Sequence, residues 1–291
     1  MADPVWLEVA LNGAWTRKLQ PLMPVTVEEV IAEGIACVRA GAAIVHLHAY
    51  DPDTGRQNDS AEIYARIIEG IRAQCDAIVY PTVGQYPKDP ESQERYAPIE
   101  TLGRRGLLEW SVVDPGSVNF SRYEDIEAGR SGYVYMNSEK HVRNGMILAE
   151  KYGYHPSYAV YEPGFVRLGA ALAKHMPKVP QAVYRFMLTD SFAFGLPATD
   201  FALQAYLRLL EAEAPGAPWM IAGRCTDILP LVDATVAAGG HVRVGLEDAP
   251  LGSPMTNVQW VQRAAERIRG SGGRLASAQD IRNSLKTGST R

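Results

Sequence analysis

The chain has 291 residues, 46% hydrophobic and 21% charged, which is ample material for a large core and too little polar bias for disorder. Its 29 basic and 33 acidic residues leave a formal net charge of −4 with both signs spread along the sequence, which argues against a nucleic-acid binder and for a small-molecule partner. The opening MADPVWLEVA has no basic leader region, and no apolar run approaches the roughly 20 residues of a membrane span, so the expectation is a cytoplasmic protein with no membrane partner.

Short runs rich in Val, Ile and aromatics alternate with helical patterns along the whole chain. Strands are expected to begin near Val5, Ala42, Ala77, Leu107, Ser157, Ala182, Trp219 and His241. This alternation marks the α/β class with a parallel sheet. Eight such units favour a closed (β/α)8 TIM barrel over an open doubly wound sheet, with HVRVGLED at the end pairing with WLEVALNG at the start. We read one domain over residues 1–291 with a short C-terminal extension at 270–291.

The first strand ends at Asn12, whose amide is a candidate for holding a carboxylate or oxyanion. Thr26 and Glu29 have capping-box spacing, and Gly41 supplies the stop of the helix between them. The second strand, AAIVHLHA, carries the sharpest signal. Side chains alternate across a strand, so His46 and His48 share one face about 6 to 7 Å apart along the backbone, where one metal ion can take both imidazoles. A turn, DPDTG, follows, and Asp59 stands where it can cap the next helix.

Thr82 lies at the end of the third strand and is a second candidate for an anionic substrate group, with Ser117, Asn119 and Glu162 as weaker ones. Two connections exceed a minimal length, residues 117–136 and the segment TDSFAFGLPATD, and both are expected to cover the substrate at the rim where barrel active sites lie. In the last strand, Arg243 and Glu247 share the inward face, with Arg243 about 13 Å deeper and Glu8 of the first strand as its possible partner. His46, His48 and Glu247 then make three zinc ligands with one position open, the arrangement of a catalytic site. The three cysteines lie far apart in an odd count and read as packing residues, as do His141, His155, His175 and His241 as structural ones. No phosphate-binding GxxxxGK loop, dinucleotide fingerprint or GxSxG elbow is present.

The segments VALNGA, AGAAIVHLHAYDPDTGR, GSVNF, GGHVRVGLEDAPL and GRLASAQDIRNSL, spanning nearly the whole chain, resemble the β-keto acid cleavage enzymes. The resemblance implies a homotetrameric barrel that transfers a two-carbon unit between a β-keto acid and acetyl-CoA, giving acetoacetate and a new acyl-CoA. It implies Zn2+ on His46, His48 and Glu247, with Arg243, Asp248 and Thr82 as catalytic or substrate-contacting groups and Asp248 as the base or its orienting group. Zinc then polarises the keto carbonyl while a proton leaves C2. The chain departs from the family pattern at Trp15 and Ala159, where relatives acting on aminated substrates carry glutamates, and at Val112 and Tyr50. Those departures predict a substrate without an ammonium group, its tail apolar or otherwise uncharged, with Trp15 and Val112 against it. Two other readings are a metal-dependent hydrolase on the same barrel and a zinc-containing protein that binds a metabolite without turnover.

Overall fold

The computed structural model describes residues 4–51, 53–84 and 94–288. Eight strands form one parallel sheet: β1 Leu7–Ala10, β2 Ile44–Leu47, β3 Ile78–Pro81, β4 Trp110–Val112, β5 His155–Val160, β6 Val183–Leu188, β7 Trp219–Gly223 and β8 His241–Val244. The hydrogen-bonded order runs β3, β2, β1, β8, β7, β6, β5, β4. The two end strands, β3 and β4, lie side by side, so the sheet is nearly closed into a barrel inside a ring of helices. Each expected strand is present, Trp110 against Leu107 being the widest offset at a strand start. The pairing of last strand with first holds as well, with Arg243 opposite Glu8.

Helix α1, Val27–Ala40, shows how local chemistry sets an element. Thr26 accepts from the Glu29 N–H while the Glu29 carboxylate accepts from the Thr26 N–H, a reciprocal cap of the kind that stabilises a helix by about 1 kcal/mol. Gly41 closes it at φ 128°, a conformation that side chains disfavour. For α2, Ala61–Arg72, the expectation needs correcting: Ser60 is the N-cap and Asp59 does not cap. The Asp59 carboxylate accepts instead from the Tyr64 hydroxyl at 2.7 Å and the Gln57 amide at 2.7 Å.

The barrel interior is unusually polar toward the rim. The register places Glu8 beside Ile44 and Arg243, and Glu8 accepts from the Tyr80 hydroxyl at 2.6 Å and from Arg243 at 3.0 Å. Arg185 of β6 reaches the Ser157 carbonyl at 3.3 Å and lies 3.9 Å from Asp114. Buried charges of this kind persist only where partners are built in.

The two long connections pack on each other. Residues Val118–Phe120 and Tyr133–Tyr135 pair as an antiparallel hairpin. Phe120 sits 4.9 Å from Phe194 and 5.6 Å from Phe192, centroid to centroid, so the hairpin and the segment after β6 lock together through aromatic contacts. At the opposite end, Arg274–Leu275 pairs with Pro4–Val5, and the terminal helix Ala278–Gly288 buries Ile281 and Leu285 against the barrel. Residues 1–3 and 289–291 of the single-domain reading lie outside the described residues. No described helix is long and apolar enough to cross a membrane.

Candidate metal centre and active site

His46 ends up inside the barrel because strand parity puts it there, and His48 follows one step beyond β2, with ring centroids 5.4 Å apart. Glu247 arrives by a different route from the one the sequence implied. Strand β8 stops at Val244, and Gly245 at φ 132° packs so tightly on Ala10 that a Cβ there would lie 2.2 Å from the Ala10 carbonyl oxygen. The chain turns back, the Glu247 N–H donating to the Ala10 carbonyl at 3.2 Å. The Glu247 carboxylate lies 3.2 Å from the Arg243 guanidinium. Asp248 also points inward onto Arg243, not to the other face, since alternation no longer applies past the strand end.

One ligand atom from each of His46, His48 and Glu247 lies within 4.8 Å of the others. The Glu247 carboxylate is 3.4 Å from His46 Nε2 and 3.5 Å from His48 Nε2. His48 Nε2 and Glu247 Oε2 are buried without a hydrogen-bond partner, a costly state that a cation between them would relieve. The tautomer is right for it: His48 Nδ1 pairs with the Gln57 amide oxygen at 2.9 Å, leaving the Nε2 lone pair aimed at the cluster. Burial holds His46 well below the usual imidazole range, hence neutral. Burial tends to raise Glu247, but its neighbours, the Arg243 guanidinium foremost, outweigh it and hold the carboxylate well below its usual range. Two imidazoles with a carboxylate are a donor set that can hold a divalent metal ion.

Arg243 anchors the floor of the site. It binds Asp248 in a fork, Nε to Oδ2 at 2.7 Å and Nη2 to Oδ1 at 3.0 Å, while Glu8 and Glu247 complete its ring of carboxylates. Burial pushes Asp248 up to about 6 in spite of that fork. Gly13, at φ 64°, lets the loop after β1 lie against Glu247, where a Cβ would meet the Glu247 Cγ at 2.5 Å.

A narrow inner chamber of about 20 Å³ is lined by His46, His48, Thr82, Val112, Asp114, Ala159, Arg185, Arg224, Arg243 and Glu247 together with Phe120, Tyr133, Tyr135 and Tyr161. It adjoins an outer cleft of about 870 Å³ that shares Tyr133 and Arg224 with the chamber and includes Trp15 and Tyr50. Thr82 lines the chamber, and among the described residues its hydroxyl makes only a long 3.5 Å contact to the Val83 carbonyl, so it can serve a ligand.

Two expected substrate contacts are not there. Asn12 is fully buried; its amide donates to the Pro24 and His48 carbonyls and accepts from the His48 N–H, so it fixes a histidine's backbone instead. Ser117 is exposed and accepts from the Asn137 N–H at 2.8 Å. Asn119 is exposed too. Trp15 lines the outer cleft and donates from its indole to the Glu247 carbonyl at 2.9 Å. Tyr50 donates to the Gly13 and Trp15 carbonyls and holds that loop.

Two cationic chamber groups escaped the sequence reading as contacts: Arg185 and Arg224. Arg185 is a lone cation inside the apolar strand VYRFML, and Arg224 follows β7 directly, so position alone marks both. The later histidines stay out of the chamber, His155 pairing with the Gln181 carbonyl at 2.9 Å and His241 stacking on Trp6 at 4.0 Å.

The sequence pattern of the beta-keto acid cleavage enzymes matches residues 4–286. A 3-keto-5-aminohexanoate cleavage enzyme of Fusobacterium nucleatum is 28% identical over 251 residues, 85% of this chain and 84% of that enzyme. A 3-dehydrocarnitine:acetyl-CoA trimethylamine transferase of Rhizobium meliloti is 26% identical in a gapped alignment 306 positions long that covers 98% of this chain and 97% of that one. Among solved structures, ObcA in a ternary complex with a C4-CoA adduct and oxalate matches with a TM-score of 0.71 at 18% identity, over 91% of this chain and 68% of that one, a likeness of fold.

Proposed function

Because the chain belongs to the beta-keto acid cleavage enzyme family, we propose that it exchanges acyl groups between a β-keto acid and acetyl-CoA, releasing acetoacetate and a new acyl-CoA. Acetyl-CoA is carried over from the name of the Rhizobium relative. In this reaction C2 joins the acetyl carbon as the acetyl–sulfur bond breaks, the freed CoA thiolate adds to C3, and the C2–C3 bond breaks, so that the remaining acyl group is left on CoA and the proton taken from C2 returns to C2 of acetoacetate. The observation that carries the reading is the cluster of His46, His48 and Glu247, with buried donor atoms lacking partners at one end of a polar chamber.

We propose zinc as the ion these residues hold, where it supplies Lewis acidity to a keto oxygen. The chain's own groups do the rest. Thr82 and Arg185 line the chamber and orient the keto acid by hydrogen bonding. Asp248 takes the C2 proton. With its carboxyl pushed up to about 6 it is basic enough near neutral pH, and it needs a side-chain rotation out of its fork with Arg243 to reach the substrate. Arg243, still paired to Glu8 and Glu247, stays in place when that happens. The outer cleft receives the thioester through the opening it shares with the chamber.

The direct test is incubation with acetyl-CoA and a panel of β-keto acids, following acetoacetate and new acyl-CoA in equal amounts. Failure to form either, with hydrolysis of amides or lactones instead, sinks the reading. A smaller effect tests the support of the metal ligands: Gln57→Ala is expected to weaken zinc binding roughly 10- to 100-fold, because His48 loses the partner that fixes its tautomer. Competition with a chromogenic chelator measures this, and an unchanged affinity would show that backbone alone holds His48.

A further inference from the structure

We propose that Arg224 binds an anionic group at the end of the substrate remote from the metal cluster, so that the β-keto acid this protein prefers is a dicarboxylate. The inference rests on the reading of the chain as a β-keto acid enzyme.

The chamber holds three guanidinium groups, and two have carboxylates built in. Arg243 has Glu8, Glu247 and Asp248, and Arg185 has Asp114 at 3.9 Å. Arg224 has none within ion-pair distance among the described residues. It is 4% exposed, its Nε is buried without a hydrogen-bond partner, and its guanidinium carbon lies over the Trp15 ring at 4.3 Å and the Phe120 ring at 5.6 Å from the centroids. Contacts with aromatic faces fix the plane of a guanidinium and leave its N–H fork free along the edge. A buried cation so prepared, with no anion at ion-pair distance among the described residues, is built for one that arrives with a ligand.

Position decides which group that is. His46, His48 and Glu247 line the chamber alone, whereas Arg224 lines both the chamber and the outer cleft and so stands at the mouth. A keto acid whose reacting end is at the metal cluster therefore presents its far end to Arg224. The phosphates of CoA are a whole pantetheine arm away from the thioester carbon and do not fit a residue this deep. The uncharged tail expected from Trp15, Val112 and Ala159 is revised accordingly: these residues supply no carboxylate for a cation, but the structure adds a cation for a carboxylate. The chamber's own carboxylates are committed, Asp114 accepting from the Ala159 N–H at 2.7 Å and the Tyr135 hydroxyl at 2.7 Å.

The test compares kcat/KM, with acetyl-CoA, for a six-carbon 3-oxo dicarboxylate, its ω-methyl ester and 5-amino-3-oxohexanoate. The parent protein is expected to prefer the dicarboxylate over the ester by roughly 10- to 100-fold, as charge-assisted hydrogen bonds discriminate, and to use the aminated compound least. Arg224→Gln should bring the ratio of dicarboxylate to ester to within about 3-fold of one, mainly through KM, and Arg224→Lys should keep part of the preference. Equal loss on both substrates, or a raised KM for acetyl-CoA with the ratio unchanged, overturns the proposal, because Arg224 then serves the reacting end, the thioester or the fold. No turnover of any keto acid by the parent is a different failure, that of the reaction itself.

Discussion

His46→Ala is expected to abolish zinc binding and turnover together. His46 is 2% exposed on an inward position of β2, and its Nε2 faces the Glu247 carboxylate at 3.4 Å. Alanine removes one of three protein donors, and no other described histidine, cysteine or carboxylate forms a cluster that could replace it. Turnover should fall by more than the roughly 10²- to 10³-fold that follows loss of a single oxyanion donor, since the ion and its charge go with the side chain. A readout independent of activity is available. An ion that binds only the folded state stabilises it by about 2.7 kcal/mol at 100 times its Kd, so the parent's Tm should rise with added zinc and that of the variant should not. Stoichiometric zinc in His46→Ala, by elemental analysis, would place the metal centre elsewhere.

Asp248→Asn should separate the two functions that His46→Ala removes at once. The amide is close to isosteric and its oxygen can still accept from Arg243, which also retains Glu8 at 3.0 Å and Glu247 at 3.2 Å. The ligand Glu247 is thus expected to stay in place and zinc to remain bound. Proton transfer is lost, because an amide has no basicity near neutral pH, and kcat should drop by roughly 10²- to 10⁴-fold. Breaking a buried ion pair outright costs about 3 to 5 kcal/mol, and the amide's remaining hydrogen bond makes the penalty here smaller, so kinetics should be run below the variant's Tm. Zinc content near that of the parent with kcat strongly reduced is the expected pair of results. Activity equal to the parent's would remove Asp248 from the mechanism.

The parts of the site that follow strand parity were legible in the sequence. His46 and His48 could be placed on one face, and Arg243 could be set beside Glu8, because a two-residue period and the pairing of last strand with first decide both. Glu247 and Asp248 were named correctly as residues at the barrel rim, but their geometry depends on a glycine turn that parity cannot see. Asn12 and Ser117 show a different limit. Whether a strand-end polar group faces a ligand or a neighbouring carbonyl depends on backbone atoms from residues distant in sequence, such as Pro24 and His48 for Asn12. Arg224 was missed although it directly follows a strand, because its isolation from carboxylates is a statement about the whole surrounding volume.

The contrast between the two ends of the chamber bears on how such a scaffold acquires new substrates over evolutionary time. At the metal end, Gly13 and Gly245 pack so closely on Glu247 and Ala10 that adding a single carbon at either position collides with its neighbour, so gradual drift is closed off there. Elsewhere in the lining, the side chains of Val112, Ala159 and Arg224 make no hydrogen bond to His46, His48 or Glu247. Point substitutions among them can change the size and charge of the accepted tail while the ion and its ligands stay undisturbed. A lineage built this way inherits one reaction and can move from substrate to substrate by single steps, without passing through an inactive ancestor.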